Sequence, residues 1–265
     1  MKPTLDDLIA LAKGAGEILR AGYHQTKQID HKQEIDLVTE TDKASEDYIL
    51  QQINERVPRH HIVAEENGES AGDPDHTWYI DPLDGTTNFA HGLPIFSVSI
   101  AYAHQGVTTL GVVYDPIREE LYRAELGQGA FLNGQRLHVS QQTELKQSLV
   151  VTGYPYDRFT NPNNNLRHTQ NFLMRVQGFR RLGSAALDLC NVASGRVDGY
   201  WEVYLERYDM AAGALIAEEA GARVTKVDGT PNILAEPYSV VAANAALHSE
   251  MLKVLALPDQ ASSSQ

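Results

Sequence analysis

The chain has 265 residues, of which 42% are hydrophobic and 22% charged. This composition is typical of globular proteins whose core is large enough to fold without disulfide or metal cross-links. Its formal net charge of −13 repels nucleic acid and anionic membranes, so neither is expected as a partner. The single cysteine, Cys190, excludes a disulfide framework and a cysteine-based zinc site. Because no secretory signal and no apolar run of about 20 residues is visible, we expect a cytoplasmic protein.

The predicted elements fall into two halves. Apolar residues at helical spacing predict helices from Leu5 to Leu19 and from Thr41 to just before Pro58. Short apolar runs predict two strands, and a period-two pattern predicts an antiparallel meander. These strands are expected at 62–64, 78–80 and across 96–131, and the second half is expected to contain strands at 149–151 and 239–241 and helices at 163–176, 185–193, 209–220 and 245–255. A polar seam at 140–147 divides an N-terminal α+β half, residues 1–145, from a C-terminal α/β half, residues 146–265, within one compact unit.

The segment 78–89 is the most informative part of the sequence. An apolar strand delivers Asp81 and Asp84, and Gly85 then opens what reads as a helix. Two carboxylates and the carbonyl oxygen of Leu83 are the kind of oxygen ligands that Mg²⁺ prefers. Backbone N–H groups at a helix start, next to a glycine that permits close approach, suit a phosphate. The alternative is a capped turn, for which Asp, Gly and Thr are common residues.

Two further segments add carboxylates. A second apolar strand ends at Glu65, and Asp209 stands in the first turn of a helix whose next residues are small. Small residues at that point let a helix start approach other backbone closely. Taken alone, Asp209 is equally well explained as a helix N-cap.

Together these segments resemble the inositol monophosphatase family, within the lithium-sensitive, Mg²⁺-dependent phosphatase superfamily that includes fructose-1,6-bisphosphatases. The resemblance runs from Leu5 to Leu255, and its strength lies in four motifs that occur in order. They are DLVTETD at 36–42, AEE at 64–66, DPLDGT at 81–86 and YDMAAG at 208–213. The resemblance implies a layered α-β-α-β-α sandwich, two to three Mg²⁺ ions, a small phosphorylated substrate and a homodimer.

The resemblance also implies roles for individual residues. One metal site matches Glu65, Asp81 and the Leu83 carbonyl, a second matches Asp81, Asp84 and Asp209, and a weaker third matches Asp42 and Glu65. Thr86 matches the threonine that helps to orient the attacking water, so Glu65, Thr86 and Asp42 are the expected catalytic residues. The expected substrate-binding residues are Asp84, Gly85, Thr86, Gly183, Ser184, Ala185 and Glu202, the last of which matches the acid that binds inositol hydroxyls.

Three departures from the family pattern affect the substrate assignment more than the chemistry. Tyr208 replaces a tryptophan before the last metal aspartate, and Ala64 replaces a glycine before the acidic pair. A lysine that the family often has upstream of Asp36 has no clean counterpart, although His31 or Lys32 could serve.

The expected activity is hydrolysis of a phosphate monoester, first of all myo-inositol monophosphate, by metal-activated water. Fructose-1,6-bisphosphate, histidinol phosphate and a 3′-phosphonucleotide stay open as substrates, and a bisphosphate would require a basic residue such as Arg158, Arg180 or Arg181. An aspartyl-phosphate phosphatase is disfavoured because its motif is one residue shorter than 81–86. A scaffold that kept the fold and binds a protein is disfavoured because all five expected ligand carboxylates are present.

Overall fold

The computed structural model describes residues 2–23, 25, 29–31 and 37–258. Asp36 and Lys32, which belong to the first motif region, lie outside the described residues. The helices are α1 (Leu5–Tyr23), α2 (Glu40–Arg56), α3 (Thr86–Ala90), α4 (Leu166–Leu173), α5 (Ala185–Ala193), α6 (Arg207–Glu219) and α7 (Ala245–Leu255). The strands are β1 (Ile29–His31), β2 (Leu37–Thr39), β3 (His60–Ala64), β4 (Gly68–Ser70), β5 (Asp73–Asp84), β6 (Ser97–His104), β7 (Val107–Asp115), β8 (Glu120–Glu125), β9 (Gly129–Leu132), β10 (Gln135–Arg136), β11 (Leu149–Thr152), β12 (Gly178–Arg180), β13 (Gly199–Val203), β14 (Arg223–Thr225) and β15 (Ser239–Ala243).

The first large sheet has eight strands in the order β10-β9-β8-β7-β6-β5-β3-β4. Strands β6 to β9 form the predicted antiparallel meander, which β5 and β10 extend at its two ends, whereas β3 runs parallel to β5. This parallel pair matters for the site, because the carboxyl ends of β3 and β5 emerge at the same edge of the sheet.

The second large sheet has five strands in the order β12-β11-β13-β15-β14 and mixes parallel and antiparallel pairs. Strand β11 pairs in parallel with β13, so Thr152 lies opposite Trp201. The sequence pattern missed β13, which carries Glu202, and with it β12 and β14.

The helices complete the layered sandwich that the resemblance implied. Helices α1 and α2 pack on one face of the eight-stranded sheet, α5 and α6 lie between the two sheets, and α4 and α7 cover the far face of the five-stranded sheet. Three buried clusters fill the spaces between these layers, and Cys190 belongs to the central one. The expected α-β-α-β-α architecture is therefore confirmed.

Two helices differ from their predicted form. Helix α4 is shorter than the predicted 163–176, because Asn165 adopts a left-handed conformation (φ 70°) and its side chain bonds to neighbouring strands instead of continuing the helix. Helix α2 buries polar residues, among them Asp42 and Glu46, while the apolar Ala44 is exposed. This polar face points to a role in the site rather than in a simple core.

The division into two halves at 140–147 stays a prediction, because helix α6 from the second half packs on strands of the first. In the described part of the chain, no helix combines the length and the apolar composition that crossing a bilayer requires.

Candidate active site

A cavity of about 530 Å³ is lined by residues at the end of β5, on β13 and at the starts of helices α3, α5 and α6. Every predicted site residue except Asp42 lines it. The lining is strongly acidic, and Arg181 is the one basic side chain among the described residues that form it. The predicted residues lining the cavity are Glu65, Asp81, Leu83, Asp84, Gly85, Thr86, Gly183, Ser184, Ala185, Glu202 and Asp209.

Glu65 and Asp81 are brought together by the parallel pairing of β3 and β5. Ala64 lies opposite Ile80 in this ladder, and the Glu65 N–H continues it by donating to the Ile80 carbonyl at 3.2 Å. The Asp81 side chain accepts a hydrogen bond from the Leu83 N–H at 3.0 Å. Burial raises the pKa of Asp81 well above its usual value, and repulsion from Glu65, Asp84 and Asp209 raises it further.

Asp84 is held by the first turn of helix α5. Its carboxylate accepts hydrogen bonds from the Ser184 hydroxyl, from the Ala185 N–H at 3.0 Å and from the Ala186 N–H at 2.9 Å. These donors lower the pKa of Asp84, but burial outweighs them and the pKa is raised. The donors of Ser184 and Ala185, expected to face the substrate, are thus engaged by Asp84.

Gly85 allows the chain to turn sharply after Asp84. Its φ of 99° is left-handed, and a Cβ there would stand 2.9 Å from the Ile95 carbonyl oxygen and 3.1 Å from that of Gly183. Glycine is therefore required by both conformation and space, and helix α3 then starts at Thr86 as predicted.

Asp209 enters the site from the first turn of helix α6. Its Oδ2 accepts a hydrogen bond from the Glu206 N–H at 2.7 Å, the reciprocal bond of a capping box. Burial raises the pKa of Asp209 well above its usual value, and the charges of Asp84 and Glu65 raise it further. The N-cap of α6 is Glu206 and Asp209 is its capping-box partner, so the interpretation of Asp209 as the N-cap is wrong by three residues, and its role as a metal ligand stays a prediction.

This donor set suits a hard divalent cation. It offers oxygen ligands alone, and the mutual repulsion of its carboxylates is the kind that a cation relieves. Among the described residues, no three His, Cys, Asp or Glu side chains are arranged closely enough to hold a metal ion as they stand. Asp84 and Asp209 point partly toward backbone donors, so the carboxylates converge on one region without forming a ready coordination shell.

Asp42 lies behind the cavity wall. It is fully buried, its Oδ2 accepts bonds from the Thr39 N–H and hydroxyl, and its Oδ1 accepts the Thr86 hydroxyl at 3.0 Å. Burial raises the pKa of Asp42 to about 6 against the opposing effect of these bonds. Asp42 therefore reaches the cavity through Thr86 and not directly.

The opposite wall belongs to the five-stranded sheet. Glu202 is 8% exposed, and its Oε2 accepts the hydroxyl of the buried Tyr200 at 2.7 Å. Burial raises the pKa of Glu202 to about 7, although Tyr200 and Arg181 both act to lower it.

Several site residues were missed by sequence reasoning. The carboxylate of Glu46 accepts bonds from the Glu66 N–H at 2.9 Å and from the backbone and side-chain amides of Asn67 at 2.7 and 2.8 Å, which fixes the turn after Glu65. Asn88 donates to the Leu182 carbonyl at 2.7 Å and so ties helix α3 to the Gly183 turn. No sequence pattern singled out Glu46, because the burial of this polar face of α2 is visible only in the structure.

The neighbouring histidines His60 and His61 and two of the three arginines lie outside the cavity. His60 accepts a hydrogen bond from the Trp78 indole N–H at 3.1 Å, and His61 contacts the Ser70 carbonyl at 2.7 Å, so both have packing roles. Arg158 packs over the Phe159 ring and Arg180 bonds to the Phe179 carbonyl. Of the three arginines considered for a second phosphate, Arg181 alone lines the cavity.

The sequence and the fold are similar to those of known inositol monophosphatases. The model of the inositol monophosphatase family matches residues 1–259. The chain is 45% identical to the Nus factor SuhB of Pasteurella multocida over 92% of both chains, and 41% identical to the inositol-1-monophosphatase of Mesorhizobium japonicum over 96% of both. Its fold matches the solved inositol monophosphatase of Anabaena with a TM-score of 0.88 at 42% identity, covering 97% of each chain.

The chain belongs to the inositol monophosphatase family. The members of this family are metal-dependent hydrolases of phosphate monoesters that act on small phosphorylated substrates, so the predicted enzyme class is confirmed. This membership agrees with the spacing argument against the aspartyl-phosphate class.

Proposed function

We propose that the protein hydrolyses myo-inositol monophosphate to inositol and phosphate, with Mg²⁺ as its metal and water as the nucleophile. The observation that carries this proposal is the pairing of two unlike walls across one cavity. One wall holds the repelling carboxylates of Asp81 and Asp209, and the other holds Glu202, an acceptor suited to hydroxyl groups.

The carboxylates that face the cavity would hold two ions. Glu65, Asp81 and the Leu83 carbonyl supply ligands for one, and Asp81, Asp84 and Asp209 supply ligands for the other. Bound Mg²⁺ supplies charge neutralisation, Lewis acidity toward the phosphate and a lower pKa for water. A third ion at Asp42 and Glu65 stays a prediction, since the carboxylate of Asp42 is occupied by Thr39 and Thr86.

Thr86 and Asp42 provide a path for a proton. The Thr86 hydroxyl donates to Asp42 or to the Leu83 carbonyl, which leaves its oxygen able to accept a hydrogen bond from water. A water held at Thr86 Oγ1 can pass its proton through this hydroxyl to Asp42. Because burial raises the pKa of Asp42 to about 6, this carboxylate can hold a proton near neutral pH.

The opposite wall, which carries Glu202, favours a monophosphate over a bisphosphate. Arg181 is the one cation among the described lining residues, and its charge already acts on Glu202 and on the buried Asp188. A second phosphate would compete with these carboxylates for the guanidinium. Arg181 nevertheless makes a bisphosphate the second candidate.

The same proposal includes a homodimer, a cytoplasmic location and inhibition by lithium. Helix α4 presents Leu166, Leu173 and Met174, each more than half exposed, and a second copy could cover this apolar face. Sedimentation should give twice the mass of one chain, and Leu173→Glu should shift it toward the monomer. A monomeric wild type would remove the dimer from the proposal.

The decisive experiment is phosphate release by chelator-treated protein with Mg²⁺ added back. We expect turnover to depend on Mg²⁺, to be inhibited by Li⁺ and to be faster on inositol monophosphate than on fructose-1,6-bisphosphate, histidinol phosphate or a 3′-phosphonucleotide. A higher kcat/KM on one of these others would replace the proposed substrate. Absence of turnover on the whole panel would contradict hydrolysis itself.

A further inference from the structure

Residue 153 stands where the Glu202 carboxylate meets the chain. An ideal Cβ built on Gly153 would lie 2.1 Å from Oε1, 2.2 Å from Oε2 and 2.3 Å from Cδ of Glu202. These separations are far below any van der Waals contact. The carboxylate therefore occupies the space that a side chain at residue 153 would need.

The backbone of Gly153 does not itself demand glycine. Its φ is not left-handed, whereas those of Gly85 and Gly183 are. An alanine at residue 153 would thus be free of backbone strain, and its effect would come from the collision with Glu202.

Both sides of this contact are anchored. The Asn165 amide donates to the Gly153 carbonyl at 2.6 Å and to Thr152 Oγ1 at 2.9 Å, and its oxygen accepts the Trp201 indole N–H at 2.8 Å. Trp201 precedes Glu202 on β13, so one side chain ties residues 153 and 202 together. Neither strand end can move away without breaking these buried bonds.

The Glu202 carboxylate is also held by a side chain of its own strand. The Tyr200 hydroxyl donates to Glu202 Oε2, and Tyr200 is fully buried two residues earlier on the same face of β13. With Tyr200 on one side and Gly153 on another, the carboxylate has one well-defined position at the cavity wall.

We propose that Gly153 is a specificity-determining position, whose missing side chain lets Glu202 present its carboxylate to the hydroxyl groups of a polyol phosphate. Asn165 and Tyr200 are the positioning residues of the same arrangement. The inference rests on the proposed function, because it names how the polyol end of that substrate is recognised.

The test is a double-mutant cycle read on two substrates, inositol monophosphate and p-nitrophenyl phosphate, which lacks the hydroxyl groups. Gly153→Ala should lower the ratio of kcat/KM for inositol monophosphate to kcat/KM for p-nitrophenyl phosphate about tenfold, mainly by raising KM for inositol monophosphate. In a Glu202→Ala background, the same change should leave the ratio unaltered, since no carboxylate remains to be displaced. Tyr200→Phe, which removes the hydroxyl and keeps the ring, should also lower the ratio.

Gly178→Ala is the matched control. Gly178 lies on β12 of the same sheet, outside the cavity, and its Cβ would stand 2.9 Å from the end of the Leu149 side chain and 3.8 Å from Arg180 Nη1. It should keep the wild-type ratio. If Gly153→Ala slows both substrates equally, and does so in the Glu202→Ala background as well, Gly153 is a packing residue and the inference is wrong.

If the wild-type protein does not hydrolyse inositol monophosphate, the proposed function is wrong, whatever the result for Gly153. The inference is then decided by a crystal structure of Gly153→Ala. Displacement of the Glu202 carboxylate by about 1 Å or more supports it, and an unmoved carboxylate overturns it.

Discussion

The two walls of the cavity differ in how their buried carboxylates are stabilised. On the wall built from β3, β5 and α6, carboxylates raise one another's pKa values by repulsion, and protein donors satisfy them only in part. On the wall built from β11 and β13, Glu202 has Tyr200 as a donor and Arg181 as a nearby charge. The first wall is left with a repulsion that a bound cation would relieve, whereas on the second wall the carboxylate already has a hydrogen-bond donor and a nearby positive charge.

The largest expected effect comes from removing one charge on the metal-facing wall. Asp81→Asn should lower kcat by at least about 100-fold, because a shared metal ligand is lost. Its folding should be unharmed without metal, since the amide oxygen can still accept the Leu83 N–H and the amide group can donate to Glu65. Phosphate release and thermal unfolding in chelator measure the two effects.

Asp84→Asn makes the useful contrast. Its amide group would meet the N–H donors of Ala185 and Ala186, so it should lose activity and stability together. An Asp81→Asn variant that retains full turnover would refute the metal assignment.

The opposite wall should respond in a substrate-dependent manner. Glu202→Gln should lower kcat/KM for inositol monophosphate by roughly 10–100-fold, the equivalent of losing charge-assisted hydrogen bonds. Hydrolysis of an aryl phosphate should change little because it lacks the hydroxyl groups. Equal losses on both substrates would mean that the two walls do not act independently.

A smaller effect is expected where the metal-facing wall is supported from behind. In Glu46→Gln, an amide group would face a backbone N–H that now donates to the carboxylate, which should loosen the turn after Glu65. We expect roughly tenfold lower activity at limiting Mg²⁺ and partial recovery at high Mg²⁺. Gln51→Ala, at an exposed position of the same helix, is the control. A loss of rate that Mg²⁺ cannot restore would argue against this positioning role.

Local patterns were enough to predict part of the metal-facing wall. Asp81 and Asp84 follow an apolar strand directly, and the predicted helices 185–193 and 245–255 coincide with α5 and α7. In each case the signal lies within a dozen consecutive residues. Asp209 needed the family resemblance, since a lone acid at a helix start reads as a cap.

The far wall could not be predicted in this way. The contact between Gly153 and Glu202 joins residues 49 positions apart in the chain, and it exists only because β11 and β13 pair in parallel. Asn165 ends helix α4 early because its side chain bonds to Trp201 and Gly153, which no propensity reveals. Strand β13 is buried on both faces and so lacks the alternation that marks half-exposed strands.

The smallest expected effect sharpens the contrast between satisfied and unsatisfied carboxylates on one helix. Helix α5 binds Asp84 with three donors, yet its own Asp188 is buried with an Oδ1 that has no hydrogen-bond partner. Burial raises the pKa of Asp188 well above its usual value, with repulsion from Glu202 and Asp84 adding to it. The unfolded chain releases this proton near pH 4, whereas the folded chain retains it to higher pH. The contribution of Asp188 to stability is therefore present below about pH 4 and is lost as pH rises toward the folded pKa.

Asp188→Asn removes this loss, so the variant should be more stable than wild type by roughly 1 kcal/mol near neutral pH, with a smaller gap at pH 5. Urea unfolding at both pH values measures the gap. Asp198→Asn is the control of opposite sign, because Asp198 accepts the Leu149 N–H at 2.7 Å and the Ser140 hydroxyl. If the Asp188→Asn variant is less stable than wild type at neutral pH, the Asp188 carboxylate is ionised and compensated in the folded chain, and its contrast with Asp84 disappears.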